Sequence, residues 1–221
     1  MAESKQQQIA DTTILVFSDS KLYLISKRLM DISLSLIGII ILLPVFILIA
    51  FLIKNEDRKG SIFFKQVRVG KDGSTFKMYK FRSMVSNAED LRHLLADKNE
   101  AEGPIFKIKE DPRITRIGKF IRKTSLDELP QLFNVLIGDM SLVGPRPALT
   151  NEVNQYNSFQ KQRLKVKPGL TCFWQTQGRS RLGFDEQVQL DLKYILERSL
   201  VLDIKLIFVT ILVLFGSDDA Y

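Results

Sequence analysis

Apolar residues in this chain are spaced in three different ways, and each spacing predicts a different element. From Ile32 to Ile53 they run for 22 residues without a charge. As a helix this run measures about 33 Å at ~1.5 Å per residue, enough for a hydrocarbon core of about 30 Å. It starts too late for a cleavable leader, and no small-residue cleavage site follows it. Pro44 divides the run, and an interior proline removes a hydrogen bond and kinks a helix. Lys21, Lys27 and Arg28 precede the run, and Lys54, Arg58 and Lys59 follow it. A spanning helix carries its cations mainly on one side. Cations on both sides point to a helix that enters one leaflet, bends at Pro44 and returns. A kinked spanning helix is the other reading, and the pattern alone does not separate the two. A second run, Leu206 to Phe215, is too short to cross and predicts an interfacial or partly buried helix.

Between the runs the period changes. Residues 62–82 read as a hairpin: Ile62 to Val69 is rich in β-formers, Gly70-Lys71-Asp72-Gly73 supplies the turn, and Phe76 to Phe81 alternates apolar and cationic residues. Leu91, Leu94 and Leu95 predict a short amphipathic helix over 88–97, broken by Glu102-Gly103-Pro104. Ile105 to Ile108 reads as a short strand. Asp111-Pro112 predicts a helix start, with Ile114, Ile117, Phe120 and Ile121 on one face. Arg113, Arg116, Lys119, Arg122 and Lys123 fill the rest of that helix, and no acid occurs from 112 to 125. An uncompensated basic face beside a membrane insert suits lipid headgroups or phosphate, although most charge runs are solvated faces. Residues 1–20 mix polar residues with Ile14 to Phe17 and suggest no role.

Composition narrows the chemistry. The chain has 221 residues, 32 Lys and Arg against 25 Asp and Glu, and a formal charge of +7. That balance favours an anionic partner. One cysteine, Cys172, and one histidine, His93, exclude an internal disulfide, a cysteine zinc cluster and a multi-histidine metal site. Carboxylates, hydroxyls and cations must carry any reaction. No nucleic-acid motif is present, so a nucleic-acid partner is not expected.

Ser125-Leu126-Asp127-Glu128-Leu129-Pro130 reads as the start of a helix whose buried face is Leu129, Leu132, Phe133 and Leu136. Ser125 and Glu128 match a capping box, and Asp127 is an alternative cap that leaves Pro130 in the first turn. Either register puts two carboxylates where the helix dipole, Arg122 and Lys123 favour their ionised forms. Capping explains them without chemistry. Equally, an ionised Asp can attack phosphorus or hold Mg2+, and a neighbouring Glu can ligate a metal on a diphosphate. Farther on, Gly144-Pro145-Arg146-Pro147 fixes the backbone around one arginine, whose planar fork suits phosphate. A rigid surface turn is its plainer role.

These residues carry a family resemblance. Lys27-Arg28 and Asp31, Lys80-Phe81-Arg82-Ser83-Met84, Thr124 to Val135, and Gly138 to Pro147 resemble the bacterial sugar transferases, the monotopic phosphoglycosyl transferases. The likeness runs from Lys27 to Tyr221 and matches the short, catalytic-core form. It implies transfer of a sugar 1-phosphate from a UDP-sugar to polyprenyl (undecaprenyl) phosphate with release of UMP, the first membrane step of exopolysaccharide or O-antigen assembly. By the resemblance Asp127 is the catalytic nucleophile and Glu128 holds Mg2+. Lys80, Arg82, Arg122 and Arg146 match cations near the phosphates, and Arg179 and Asp191 match residues near the nucleotide-sugar. Ordinary salt bridges are the plainer role for these, above all for Arg82. Trp174 is a candidate for stacking on uracil, though a lone Trp is more often core. Leu43-Pro44 stands where many members have Ser-Pro, and Cys172 where members often have Gly.

The expected fold is α+β and mostly helical. It comprises an N-terminal segment (1–20), a re-entrant membrane helix hairpin broken at Pro44 (21–59), and a small cytoplasmic catalytic domain with a short β-hairpin and amphipathic interfacial helices (60–221). The expected location is the bacterial inner membrane, cytoplasmic face, with a homodimer left open. A glycosyltransferase releasing UDP and a non-catalytic anionic-lipid scaffold are the competing functions.

Overall fold

The computed structural model describes residues 20–92, 94, 95, 108, 110–177 and 182–216. It is mostly helical, with a two-stranded antiparallel sheet and a short parallel pair. The expected strand at 105–108 and the breaker at 102–104 lie essentially outside the described residues, as does Arg179.

Helix α1 (Lys21–Glu56) runs through Pro44 as one helix of 36 residues, roughly 54 Å at ~1.5 Å per residue. The Ser20 hydroxyl caps it by accepting from the Tyr23 N–H at 3.1 Å. One face packs inward, with Asp31, Ser35, Phe46, Ile49 and Ile53 buried. Leu36, Ile40, Leu43, Ile47 and Phe51 stay exposed on another, on both sides of the proline.

Both ends of α1 are fastened to the same globular body. At the N-terminal end, Arg28 donates to the carbonyls of Val135 and Leu136 at 2.7 and 2.8 Å. Both carbonyls lie in the last turn of a helix, where a cation meets the negative end of the dipole. Asp31 accepts from the Ser141 hydroxyl and the Leu142 N–H. At the other end, Glu56 accepts from the N–H groups of Arg116 and Ile117 at 2.8 and 3.0 Å. Phe46, Ile49 and Ile53 join Phe81 and Ile121 in a separate apolar cluster.

The hairpin forms as expected. Strand β1 (Phe63–Val69) pairs with β2 (Thr75–Phe81), Phe63 opposite Phe81 and Val69 opposite Thr75. The turn uses left-handed backbone at Asp72 and Gly73. Helix α2 (Ala88–Arg92) follows.

Helix α3 (Arg116–Lys123) starts later than Asp111-Pro112 suggested. The Asp111 carboxylate is taken by Arg113, whose Nη2 lies 2.6 Å away, and Ile114 pairs with Met84. Thr115 caps instead, accepting from the Gly118 N–H. Arg113 is therefore buried in an ion pair rather than part of an uncompensated basic face. Ile121 is buried, but Phe120 is exposed.

Helix α4 (Gln131–Ile137) leads to β3 (Ser141–Val143), which pairs in parallel with β4 (Gly169–Thr171). Between these strands lie the one-turn helix α5 (Thr150–Val153) and a 3-10 turn, Gln160–Lys165. Gly144 and Gly169 approach so closely that a Cβ on either would fall within 3.0 Å of the other segment's backbone. Helices α6 (Phe173–Gln177), α7 (Phe184–Glu197) and α8 (Leu200–Gly216) complete the body. Val135, Met140, Val143, Cys172, Val188, Tyr194 and Leu206 belong to the main core. Helix α8 starts before the apolar run and is partly buried. Asp203 and Leu206 face inward, while Val201, Ile204, Phe208, Ile211 and Leu212 are exposed.

Candidate active site

The acidic pair lies ahead of its helix. The chain leaves α3 through Ser125 in left-handed backbone, then forms a 3-10 turn over Leu126–Glu128. Pro130 stands immediately before the first residue of α4, where its missing N–H costs no helical bond. Ser125 makes no side-chain cap, so neither expected register holds. The buried face of α4 is correspondingly Gln131, Leu132, Asn134 and Val135, while Phe133 is exposed and meets Phe46 edge-on.

Lys80 on β2 decides where the carboxylates go. Its ammonium lies 2.6 Å from Glu128 Oε1 and 3.9 Å from Asp127 Oδ2. Asn134 of α4 fixes β2 at this level, accepting from the Tyr79 N–H at 2.9 Å and donating to the Lys77 carbonyl at 2.7 Å. The capping role expected of Glu128 is thus replaced by an ion pair to a distant strand.

The two carboxyls diverge in acidity. Asp127 is 5% exposed. Burial raises its pKa to about 6 and Glu128 adds to the rise, against the pull of Lys80 and Arg122. The helix terminus was expected to favour its ionised form; burial reverses that. At neutral pH the group is still mainly ionised, but poorly stabilised. Burial also works against ionised Glu128, but Lys80, Arg146 and Arg68 outweigh it and hold that carboxyl below its usual range. Lys80 is raised, since its two acidic neighbours overcome its own desolvation.

The remaining sequence candidates separate into two groups. Arg122 donates to the Ser83 hydroxyl at 2.8 Å and acts electrostatically on Asp127. Arg146 acts on Glu128 while its Nη1 lies 3.2 Å from Glu152. Arg82, by contrast, pairs with Asp57 at 2.8 Å and ties the hairpin to the end of α1. Asp191 is fully buried against Arg163. Trp174 packs on the main core.

Three residues around the site escaped the sequence reading, Arg68, Asn134 and Glu152, as did Arg163, the buried partner of Asp191. Arg68 is buried in β1, and crowding by Arg146 adds to burial in lowering its pKa to about 10. Its Nε is a buried donor with no hydrogen-bond partner. Arg68 shares its strand with Lys65 and Gln66, so the local pattern does not single it out. Lys80, Arg68 and Arg146 thus surround Glu128 with positive charge, an arrangement suited to a polyanion.

For a metal, the donor set is small. Among the described residues no group of three or more His, Cys, Asp or Glu side chains converges. Mg2+ needs only one or two carboxylates when substrate phosphates and water complete its shell. Asp127 and Glu128 fit that mode.

Comparison with known proteins places the whole chain. The sequence profile described as bacterial sugar transferase matches residues 22–217. The chain belongs to the bacterial sugar transferase family. The chain is 50% identical over 197 residues to the galactosyl transferase CpsE of Streptococcus agalactiae, covering 88% of this chain and 43% of CpsE. It is 44% identical to the undecaprenyl-phosphate galactose phosphotransferase of Salmonella typhimurium, covering 88% of this chain and 41% of that protein. A UDP-glucose:undecaprenyl-phosphate glucose-1-phosphate transferase from Klebsiella pneumoniae is 38% identical, with 99% and 47% coverage. The chain spans less than half the length of these relatives. The match includes both ends of α1 and every element around the acidic pair.

Proposed function

We propose that this chain transfers a sugar 1-phosphate from a UDP-sugar to undecaprenyl phosphate, releasing UMP. The observation that carries the reading is Asp127: a buried, underpaired carboxylate beside Lys80 and Glu128 and beneath Arg122. One Asp127 oxygen attacks the β-phosphorus of the donor. The bond from that phosphorus to the bridging oxygen breaks, and UMP leaves with the electron pair. An oxygen of the lipid phosphate then attacks the same phosphorus, breaks the aspartyl–phosphorus bond and restores Asp127. Dividing the transfer in this way suits a carboxylate nucleophile, and the protein's main task is stabilising charge on the phosphates. Lys80, Arg146 and Arg122 supply that charge. Mg2+ held by Glu128 would neutralise the diphosphate when bound. Nucleotide analysis tests the reading. UMP as product supports it, whereas UDP would indicate transfer of the sugar alone.

The acceptor places the site at a membrane. We infer that residues 21–59 form a hook that enters and leaves the inner leaflet from the cytoplasmic side, with 60–221 as the catalytic body. Support comes from α1, both of whose ends are fastened to one body. The exposed stripes of α1 and α8 support it further, since each Leu, Ile or Phe left in water forgoes about 1.5–3 kcal/mol of burial. Cysteines placed at Lys21 and Ser61 in a Cys172→Ser background should both resist labelling from the periplasm. Labelling of either one contradicts the hook.

A further inference from the structure

Arg146 is held by machinery that its own loop does not require. Glu152, on the one-turn helix α5, has no exposed surface. Its carboxylate accepts from the Leu149 N–H at 2.9 Å and from Arg146 Nη1 at 3.2 Å. On the other side of the loop, Arg68 donates Nη1 to the Pro147 carbonyl at 2.9 Å and Nη2 to Gln66 Oε1 at 2.7 Å. The next residue, Val69, donates its N–H to the Ala148 carbonyl at 2.9 Å, and Gly169 donates to Pro145 O at 2.8 Å. Backbone contacts on both sides, with prolines at 145 and 147, already fix the loop. A buried carboxylate is costly unless it is paired. Glu152 caps α5 through the Leu149 N–H, and its second role is the direction of the guanidinium it binds. Arg146 and Arg68 both also act electrostatically on Glu128, the acid beside Lys80.

We propose that Glu152, braced by Arg68, is a positioning residue that orients Arg146 toward the donor diphosphate and keeps it from pairing with Glu128. Glu128 is thereby left to Lys80 and the substrate. The inference rests on the proposed function and adds a clamp to it. Neither Glu152 nor Arg68 takes part in bond making, and the clamp acts through Arg146.

A double-mutant cycle tests it. Turnover is measured with undecaprenyl phosphate and whichever of UDP-galactose, UDP-glucose and UDP-N-acetylglucosamine the wild type uses. Glu152→Gln should raise the donor KM about tenfold with kcat changed less than about threefold, the signature of lost donor binding. In an Arg146→Met background the same substitution should add less than about twofold, because the residue it acts through is gone. Should Glu152→Gln fail to fold, Arg68→Lys is run through the same cycle, with the same loss of effect expected. Equal losses in both backgrounds, or a folded Glu152→Gln enzyme with unchanged KM, overturn the clamp while the function stands. Absence of UMP release from the wild type overturns the function and the clamp's role with it.

Discussion

Asp127 and Asp191 are both buried aspartates near a long cation, and burial raises the pKa of both, yet the cation is used differently in the two. Asp191 makes direct hydrogen-bonded contact with Arg163, which also donates to the Tyr156 hydroxyl at 3.2 Å. Burial alone would lower the Arg163 pKa, but the Asp191 charge overcomes it, and the net shift is upward. There the carboxylate has its cation, and both are sealed between α7 and the 3-10 turn before β4, with Asp191 Oδ1 and Arg163 Nε left without a hydrogen-bond partner. Asp127 has no such arrangement. Its ammonium is 3.9 Å away and hydrogen-bonded to Glu128 instead. One pair fastens the fold, and the other carboxylate is left high in energy beside a cationic pocket. What separates the two aspartates is whether the nearest cation is held by another group, and burial does not separate them.

The largest expected effect comes from Asp127→Asn. Turnover, followed as UMP release, should fall by at least about a thousandfold if the carboxylate is the nucleophile. Stability should move the other way. The folded pKa is raised from 3.8 to about 6, so the fold disfavours the ionised form. At pH 7 the neutral Asn variant should therefore melt at or above the wild-type temperature. That advantage should shrink as pH falls through about 6 and the wild-type carboxyl takes up its proton. Asp191→Asn should do the reverse. Leaving Arg163 buried without its partner should cost about 3–5 kcal/mol in denaturant unfolding, with activity per folded molecule within a few-fold of wild type. Equal activity losses for the two variants would break the comparison.

Lys80→Met comes next. It removes the cation that joins both carboxylates, and kcat should drop about a hundredfold, as for loss of one preorganised charge. The smallest effect is that of pH. With an ionised Asp127 required, the chemical step should fall about tenfold per pH unit below about 6 and level off above it. A limb near pH 4 would mean that Asp127 is ordinarily paired after all.

Local chemistry was legible in the sequence, and non-local competition was not. The hairpin could be read because Gly70 to Gly73 and the flanking alternation determine it within one segment. The start of α3 was misplaced because Asp111 was available to cap until Arg113 took its carboxylate. The capping box at Ser125 failed for a related reason. Glu128 is claimed by Lys80, 48 residues earlier, and nothing in the local spacing reveals that. The acidity of Asp127 depends on burial by the assembled body, which no motif encodes. Arg68, Glu152 and Arg163 lie outside the recognisable blocks and acquire roles only when β1, α5 and α7 meet. For Asp191, the resemblance suggests the nucleotide-sugar, and the fold pairs it with the buried Arg163.

The most direct test of Asp127 is intact-protein mass spectrometry after incubation with UDP-sugars and Mg2+ in the absence of lipid. The account predicts a mass increase of one phosphosugar, mapping to Asp127, absent from Asp127→Asn and discharged on adding undecaprenyl phosphate. An adduct that persists in Asp127→Asn, or normal loading of the lipid by that variant, would contradict it.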